Sequence, residues 1–192
     1  MDKNKSKIWW IIIGAVVILA IGSYIKMSND LNNAKLAVDA QWSQVENVMQ
    51  RRADLIPNLT SSVQGSMKHE DKVFGEIAKA RSNFNNAKTP NAKLKANDEL
   101  NDKTTVLVNA IYENYPNLTS NKNINSLMTE LEGTENRIAV ERRRYIQDVN
   151  AYNQRVYNFP TNMVASSKGM YPIQNYKATS SAQKVPKVKL DE

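Results

Sequence analysis

The chain opens on a segment with no polar face. Residues 8–25, IWWIIIGAVVILAIGSYI, carry no charge and are closed by Lys7 and Lys26. As a helix this run covers about 27 Å, close to the ~30 Å hydrocarbon core of a bilayer. Trp9 and Trp10 at one end and Tyr24 at the other place amphipathic rings where the headgroup boundaries would lie. The run outlasts the ~7–15 residue apolar region of a cleaved signal peptide. No Cys follows that could carry a lipid, so the pattern predicts an uncleaved spanning helix anchored by Trp9, Trp10 and Tyr24. The competing reading is a signal peptide, with Ala20-Ile21-Gly22 as a passable cleavage site. Lys3, Lys5 and Lys7 before the span outnumber Lys26 and Lys35 after it. That imbalance predicts a cytoplasmic N-terminus and an extracytoplasmic body.

Beyond the span, apolar residues return every third or fourth position, which is a helical stripe and not strand alternation. Leu31, Ala34, Val38, Trp42, Val45, Met49, Ile56, Leu59 and Val63 define a first amphipathic helix, continuous with the span. Pro57 lies inside it. A proline lacks the N–H that would reach the carbonyl of Ala53, so a kink or a short break is expected there. A connection over 66–70 leads to a short helix over 70–87, with Val73, Ile77, Ala80 and Phe84 on one face. Thr89 caps a third helix over 91–115 with Pro90 at its first position; Leu94, Leu100, Leu107 and Ile111 face inward. A fourth runs from Ile124 through Leu127, Leu131, Ile138, Tyr145, Val149, Tyr152 and Val156 to Phe159, before Pro160. Gly133 inside it costs about 1 kcal/mol against Ala. Residues 161–192 have no period and read as an irregular basic tail, partly packed through Met163, Val164, Met170, Tyr171 and Ile173. The fold expected is all-α: a transmembrane helix over 8–25 behind a short basic N-terminus (1–7). An antiparallel bundle of three to four long helices over 27–160 and the tail over 161–192 follow.

Composition removes whole classes of chemistry. With no Cys, there is no disulfide framework, thiolate metal site or cysteine nucleophile. The single His, His69, excludes mechanisms that need two imidazoles. His69-Glu70-Asp71 is a weak ligand set, better read as acids complementing a helix N-terminus beside a solvated imidazole. The motifs of phosphate-binding loops, dinucleotide folds, serine hydrolases and zinc proteases do not occur. No catalytic residue, cofactor, metal or small-molecule substrate is therefore expected.

The formal charge is +7, yet the densest arginines do not form a single-sign patch. Arg51 and Arg52 sit beside Asp54, and Arg137, Arg142, Arg143 and Arg144 are interleaved with Glu130, Glu132, Glu135, Glu141 and Asp148. Arg137 with Glu141 and Arg144 with Asp148 are four apart and can pair along a helix. Alternating signs favour a solvated face or an interhelical ion-pair layer over a nucleic-acid surface, so no nucleic acid is expected. Tyr145 and Tyr152, with Tyr157 and Phe159 nearby, read as core packing before they read as an aromatic binding strip.

Four blocks resemble the bacterial LemA family: QRRADLIPNLTSSVQGSMKH at 50–69, Tyr115-Pro116-Asn117-Leu118, ELEGTEN at 130–136 into Arg137-Ile138-Ala139, and Tyr152-Asn153 through Phe159-Pro160-Thr161-Asn162. The resemblance covers residues 8–175. It departs at Lys168, where family members tend to carry an aromatic before the glycine. It implies a single-pass membrane protein with a long-helix bundle and no assigned catalytic function, with relatives linked to membrane organisation. The family's marked polar positions fall on Arg51, Arg52, Asp54, Pro57, Asn58, Glu130, Glu135, Asn136 and Arg137. Their complementary signs predict an interhelical layer in which Arg52 or Arg51 pairs with Glu135, and Asp54 with Arg137.

The function expected is a membrane-anchored scaffold or adaptor, not an enzyme, whose partners are the lipid bilayer and a protein or a second copy of the chain. Two alternatives stand beside it. One is a binder of anionic envelope lipid or polymer through the basic tail. The other is an unrecognised hydrolase using paired carboxylates such as Glu130 with Glu135, which would need a concave site and a raised pKa on one member.

Overall fold

A computed structural model describes residues 3–174, with side chains from Lys7 onward. The side chains of Lys3 and Lys5, and the basic tail from 175 on, lie outside the described residues. Six helices account for most of the described chain: α1 Lys3–Val63, α2 Asp71–Asn86, α3 Pro90–Asn114, α4 Pro116–Thr119, α5 Lys122–Tyr157 and α6 Thr161–Ser167. Among the described residues there is no strand, and the protein is all-α. The chain divides into two compact units.

The first unit holds residues 7–48 and 136–173. Its N-terminal stretch is the one described helix segment long and apolar enough to cross a membrane. Every large apolar side chain of 8–25 is exposed, from 45% at Ile13 to 72% at Trp10, so none of the described residues covers it. At Leu31 the character of α1 changes, and Leu31, Val38 and Val45 are buried with Ile138, Val149 and Tyr152 of α5. Full burial of one such aliphatic side chain contributes about 1.5–3 kcal/mol. The two segments run antiparallel. Gln41 Nε2 donates to Glu141 Oε2 at 2.7 Å, and the Trp42 and Tyr145 rings meet with centroids 5.3 Å apart.

Helix α5 stops at Tyr157, so Phe159 does not join the seam expected of it; it lies on the turn before Pro160 and is 79% exposed. The residue before a proline is steered away from helical dihedrals, and helical spacing carries no information there. The expectation of an irregular chain after 160 also needs correction. Residues 161–167 form α6, which buries Val164 and Ala165 and leaves Met163 and Tyr171 exposed. Seven residues are too few for a periodicity to register. After α6, Asn153 clasps the backbone of Ile173 at both its amide and carbonyl, at 2.8 and 2.7 Å, and Tyr152 Oη donates to the carbonyl of Tyr171 at 3.1 Å.

The second unit comprises residues 49–135 among those described: the end of α1, then α2, α3, α4 and the start of α5. Met49, Ala53, Ile56, Leu59 and Val63 line up on α1; Ile77, Ala80 and Phe84 on α2; Leu94, Leu100, Leu107 and Ile111 on α3; and Ile124, Met128 and Leu131 on α5. Met128 takes the place assigned to Leu127, which is half-buried. Steps of three and four from Ile124 both fit a helical stripe, and packing decides between them. Thr89 caps α3 by accepting from the Ala92 N–H at 3.3 Å, with Pro90 at the first helical position. Met67, in the turn read as a plain connection, is fully buried.

Candidate functional site around Arg52 and Pro57

Two turns of α1 hold Arg51, Arg52, Asp54 and Pro57. Arg52 is 3% exposed, an unusual place for a guanidinium, and it survives there by donating to the carboxylate of Glu135 on α5 and to Oδ1 of Asn101 on α3. A buried charge stripped of its partner is strongly destabilising, so the three helices are held to one register by this cluster. Asn97, one turn before Asn101, is also buried; its Oδ1 has no hydrogen-bond partner among the described residues. Thr104 and Thr134 satisfy their hydroxyls within their own helices, donating to the carbonyls of Leu100 and Leu131, each at 2.7 Å. Arg51 is one residue away and points elsewhere. It lies 3.8 Å from Glu130 with both side chains largely in water, which makes the pair worth about 0–1 kcal/mol.

Pro57 does not break α1, which continues to Val63. The ring removes one N–H, and the carbonyl four residues earlier, that of Ala53, loses its helical donor. Arg81 of α2 supplies one: its Nε donates to the Ala53 carbonyl at 2.9 Å. The same guanidinium lies 3.7 Å from Asp54, whose other contact is Gln50 Nε2 at 3.0 Å. Asp54 thus faces Arg81; Arg137, the partner expected of it, belongs to the other unit. Beside this junction α1 and α2 leave an open groove of about 570 Å³, floored by Ile56, Phe74 and Ile77 and edged by Pro57, Arg81 and Asn85. Asn58 is exposed, and its carbonyl accepts from Ser62 Oγ at 2.7 Å.

Electrostatics elsewhere follow simple pairing. Glu76 and Lys103 join α2 to α3 at 2.7 Å. The hydrogen bond from Lys103 holds the Glu76 carboxyl below the ordinary carboxylate range, and the same bond holds the Lys103 ammonium above the ordinary lysine range. In the first unit, burial pushes the phenols of Tyr145 and Tyr152 upward, with Asp39 adding to the shift at Tyr145. Neither tyrosine is therefore poised to lose a proton near neutrality.

The geometry offers little to acid–base chemistry. Glu130 and Glu135 are five residues apart on α5, about 140° round the helix. Each meets its own arginine and neither lines the groove. No group of three or more His, Asp or Glu side chains that could hold a metal occurs among the described residues. His69 is exposed in the turn before α2. Asn136 and Arg137 are exposed on α5 in the first unit. Glu141, four residues from Arg137, bonds instead to Arg144 Nη1 at 2.9 Å and to Gln41. The sequence pattern missed Arg81 and Asn101. A proline that orphans a carbonyl announces the need for a donor, but not which helix provides it.

Comparison with known proteins places these blocks in a wider set. The model of the LemA family matches residues 41–190, a span that contains Arg52, Pro57, Arg81, Asn101 and Glu135. The Protein LemA of Metamycoplasma hominis is 25% identical over 159 residues, covering 81% of this chain and 71% of that protein.

Proposed function

We propose that this chain, which belongs to the LemA family, is a membrane-tethered helical scaffold or adaptor without a catalytic role, holding a protein partner or a second copy of itself at the bilayer. One observation carries the reading: the change of character along α1. Side chains of 8–25 are exposed on every side, whereas from Leu31 onward the same helix buries a single stripe and turns most of its polar residues outward, Arg52 excepted. A helix apolar all round needs lipid, and one apolar on a stripe needs other helices. The charged residues of the second unit add support, because Arg52, Glu135, Arg81 and Asp54 are engaged in holding helices together.

In this reading the body faces outward and the N-terminus lies in the cytoplasm, following the lysine imbalance at the two ends of the span. The test is in two steps. Carbonate washing of membranes should leave the full chain in the pellet, and proteinase added to intact cells should remove a C-terminal tag. Crosslinking followed by detergent solubilisation should then recover a defined complex. A chain that comes out strictly monomeric and alone would defeat the scaffold reading, and a protected tag would reverse the topology.

A further inference from the structure

The turn between α5 and α6 exposes apolar side chains that nothing in the first unit covers. Tyr157 is 68% exposed, Phe159 79% and Met163 65%. Their position along α1 follows from contacts inside the same unit. Trp42 meets Tyr145, and one shallow groove is lined by Asp30 of α1 and Arg155 of α5, which sets the antiparallel register. Two residues past Arg155, Tyr157 comes level with the α1 residues just beyond Ile25, where the apolar run ends. A second measurement agrees. Lys168, at the end of α6, donates through Nζ to Ser28 Oγ at 2.7 Å and to Asn32 Oδ1 at 3.0 Å. The α5–α6 region thus lies beside the first polar turns after the span, at the level of Ser28 to Asn32.

We propose that the α5–α6 turn, through Tyr157, Phe159 and Met163, is a second lipid contact that dips into the headgroup boundary of the bilayer that residues 8–25 cross. The proposal rests on the membrane-tethered reading above. The chemistry fits the location. Tyrosine rings favour the boundary layer, phenylalanine and methionine supply apolar surface at shallow depth, and Lys26, next after the apolar run in the chain, suits lipid phosphates. An apolar cluster isolated far from the span would point to a protein partner; one held at the span's edge meets lipid first.

The absence of cysteine makes the test clean, since single cysteines can be labelled without background. The full chain is reconstituted in vesicles of phosphatidylcholine and phosphatidylglycerol, with a polarity-sensitive fluorophore on Tyr157→Cys, Met163→Cys, Ile18→Cys or Ser43→Cys. Quenching is read with lipids spin-labelled near the headgroup or deep in the acyl chain. Labels at 157 and 163 should be blue-shifted and quenched by the shallow lipid several-fold more than the label at 43, while the label at 18 responds to the deep lipid. Labels at 157 and 163 that behave like the one at 43, with 18 still quenched, overturn the proposal and leave the span intact. No quenching at 18 removes the tethered reading itself. A blue shift at 157 and 163 that grows with protein density and ignores the spin label identifies a second copy as the occupant, and also overturns the lipid contact.

Discussion

Arg81 compensates for a covalent defect on another helix, and that makes a sharp prediction. Replacing Arg81 with Met leaves the Ala53 carbonyl without a donor, a loss of about 1–3 kcal/mol for a polar group shielded from water. Replacing Pro57 with Ala restores the N–H that this carbonyl lacks. In the Pro57→Ala background, Arg81→Met should therefore cost about 1 kcal/mol less than it does alone, a coupling read by a double-mutant cycle in urea. Additive effects would mean that the two residues do not share the carbonyl. Arg52 gives a second case. Reversing charge at Glu135 to Lys leaves a buried guanidinium facing a cation; a loss of about 2–4 kcal/mol is expected, discounted because Glu135 is itself half in water. An unchanged melting temperature would contradict the role assigned to this pair. The sequence pattern made the Arg52–Glu135 pairing legible through opposite signs in two blocks. The neighbour Asp54 has within its own unit, Arg81 of α2, carried no mark of its own in the sequence.

For the elements, apolar spacing foretold three long helices and a short one between them, and their interiors agree with it. The stripes of α1, α3 and α5 are buried at nearly every position named, because a solvent-exposed stripe on an amphipathic helix is costly and packing removes it. The ends are where legibility fails. Phe159 fell outside α5 because Pro160 ends the helix before it, and α6 was too short to show a period. Pairing between elements carries its own prediction. Glu76 titrates below and Lys103 above their ordinary values, each because of the other. The carboxylate's contribution is present above the unfolded value, about pH 4.3, and is lost as pH falls through the folded value. The ammonium's contribution is present below about pH 10.4 and is lost as pH rises through its folded value. Lys103→Met should lower the melting temperature slightly across that window, and by progressively less as pH falls below about 4. A difference that stays undiminished in acid would show that Lys103 acts through packing.

At the scale of the molecule, the apolar run of α1 carries the prediction. Replacing Ile13 and Val17 with Arg places two charges near the middle of the span, each opposing insertion by about 2.5–3.5 kcal/mol. The doubly substituted chain should appear in the carbonate supernatant, while wild type stays with the membranes. Retention of both would mean that something other than this run holds the protein there. The run was the plainest feature of the sequence, since eighteen uncharged residues leave few alternatives. What the body does was not written there in the same way. Scaffold surfaces are made of ordinary polar side chains, and without a constellation of reactive groups nothing in one sequence distinguishes a docking face from a solvated one.

The unbroken course of α1 from residues 8–25 into residues 27–48 leaves no swivel between them. A helix transmits rotation and lean along its axis, and a hydrophobic stretch answers a thicker or thinner bilayer by changing its slope. Residues 27–48, being the same rod, must follow. If residues 8–25 span a bilayer as proposed, residues 27–48 and the α5 segment packed on them would lean with it.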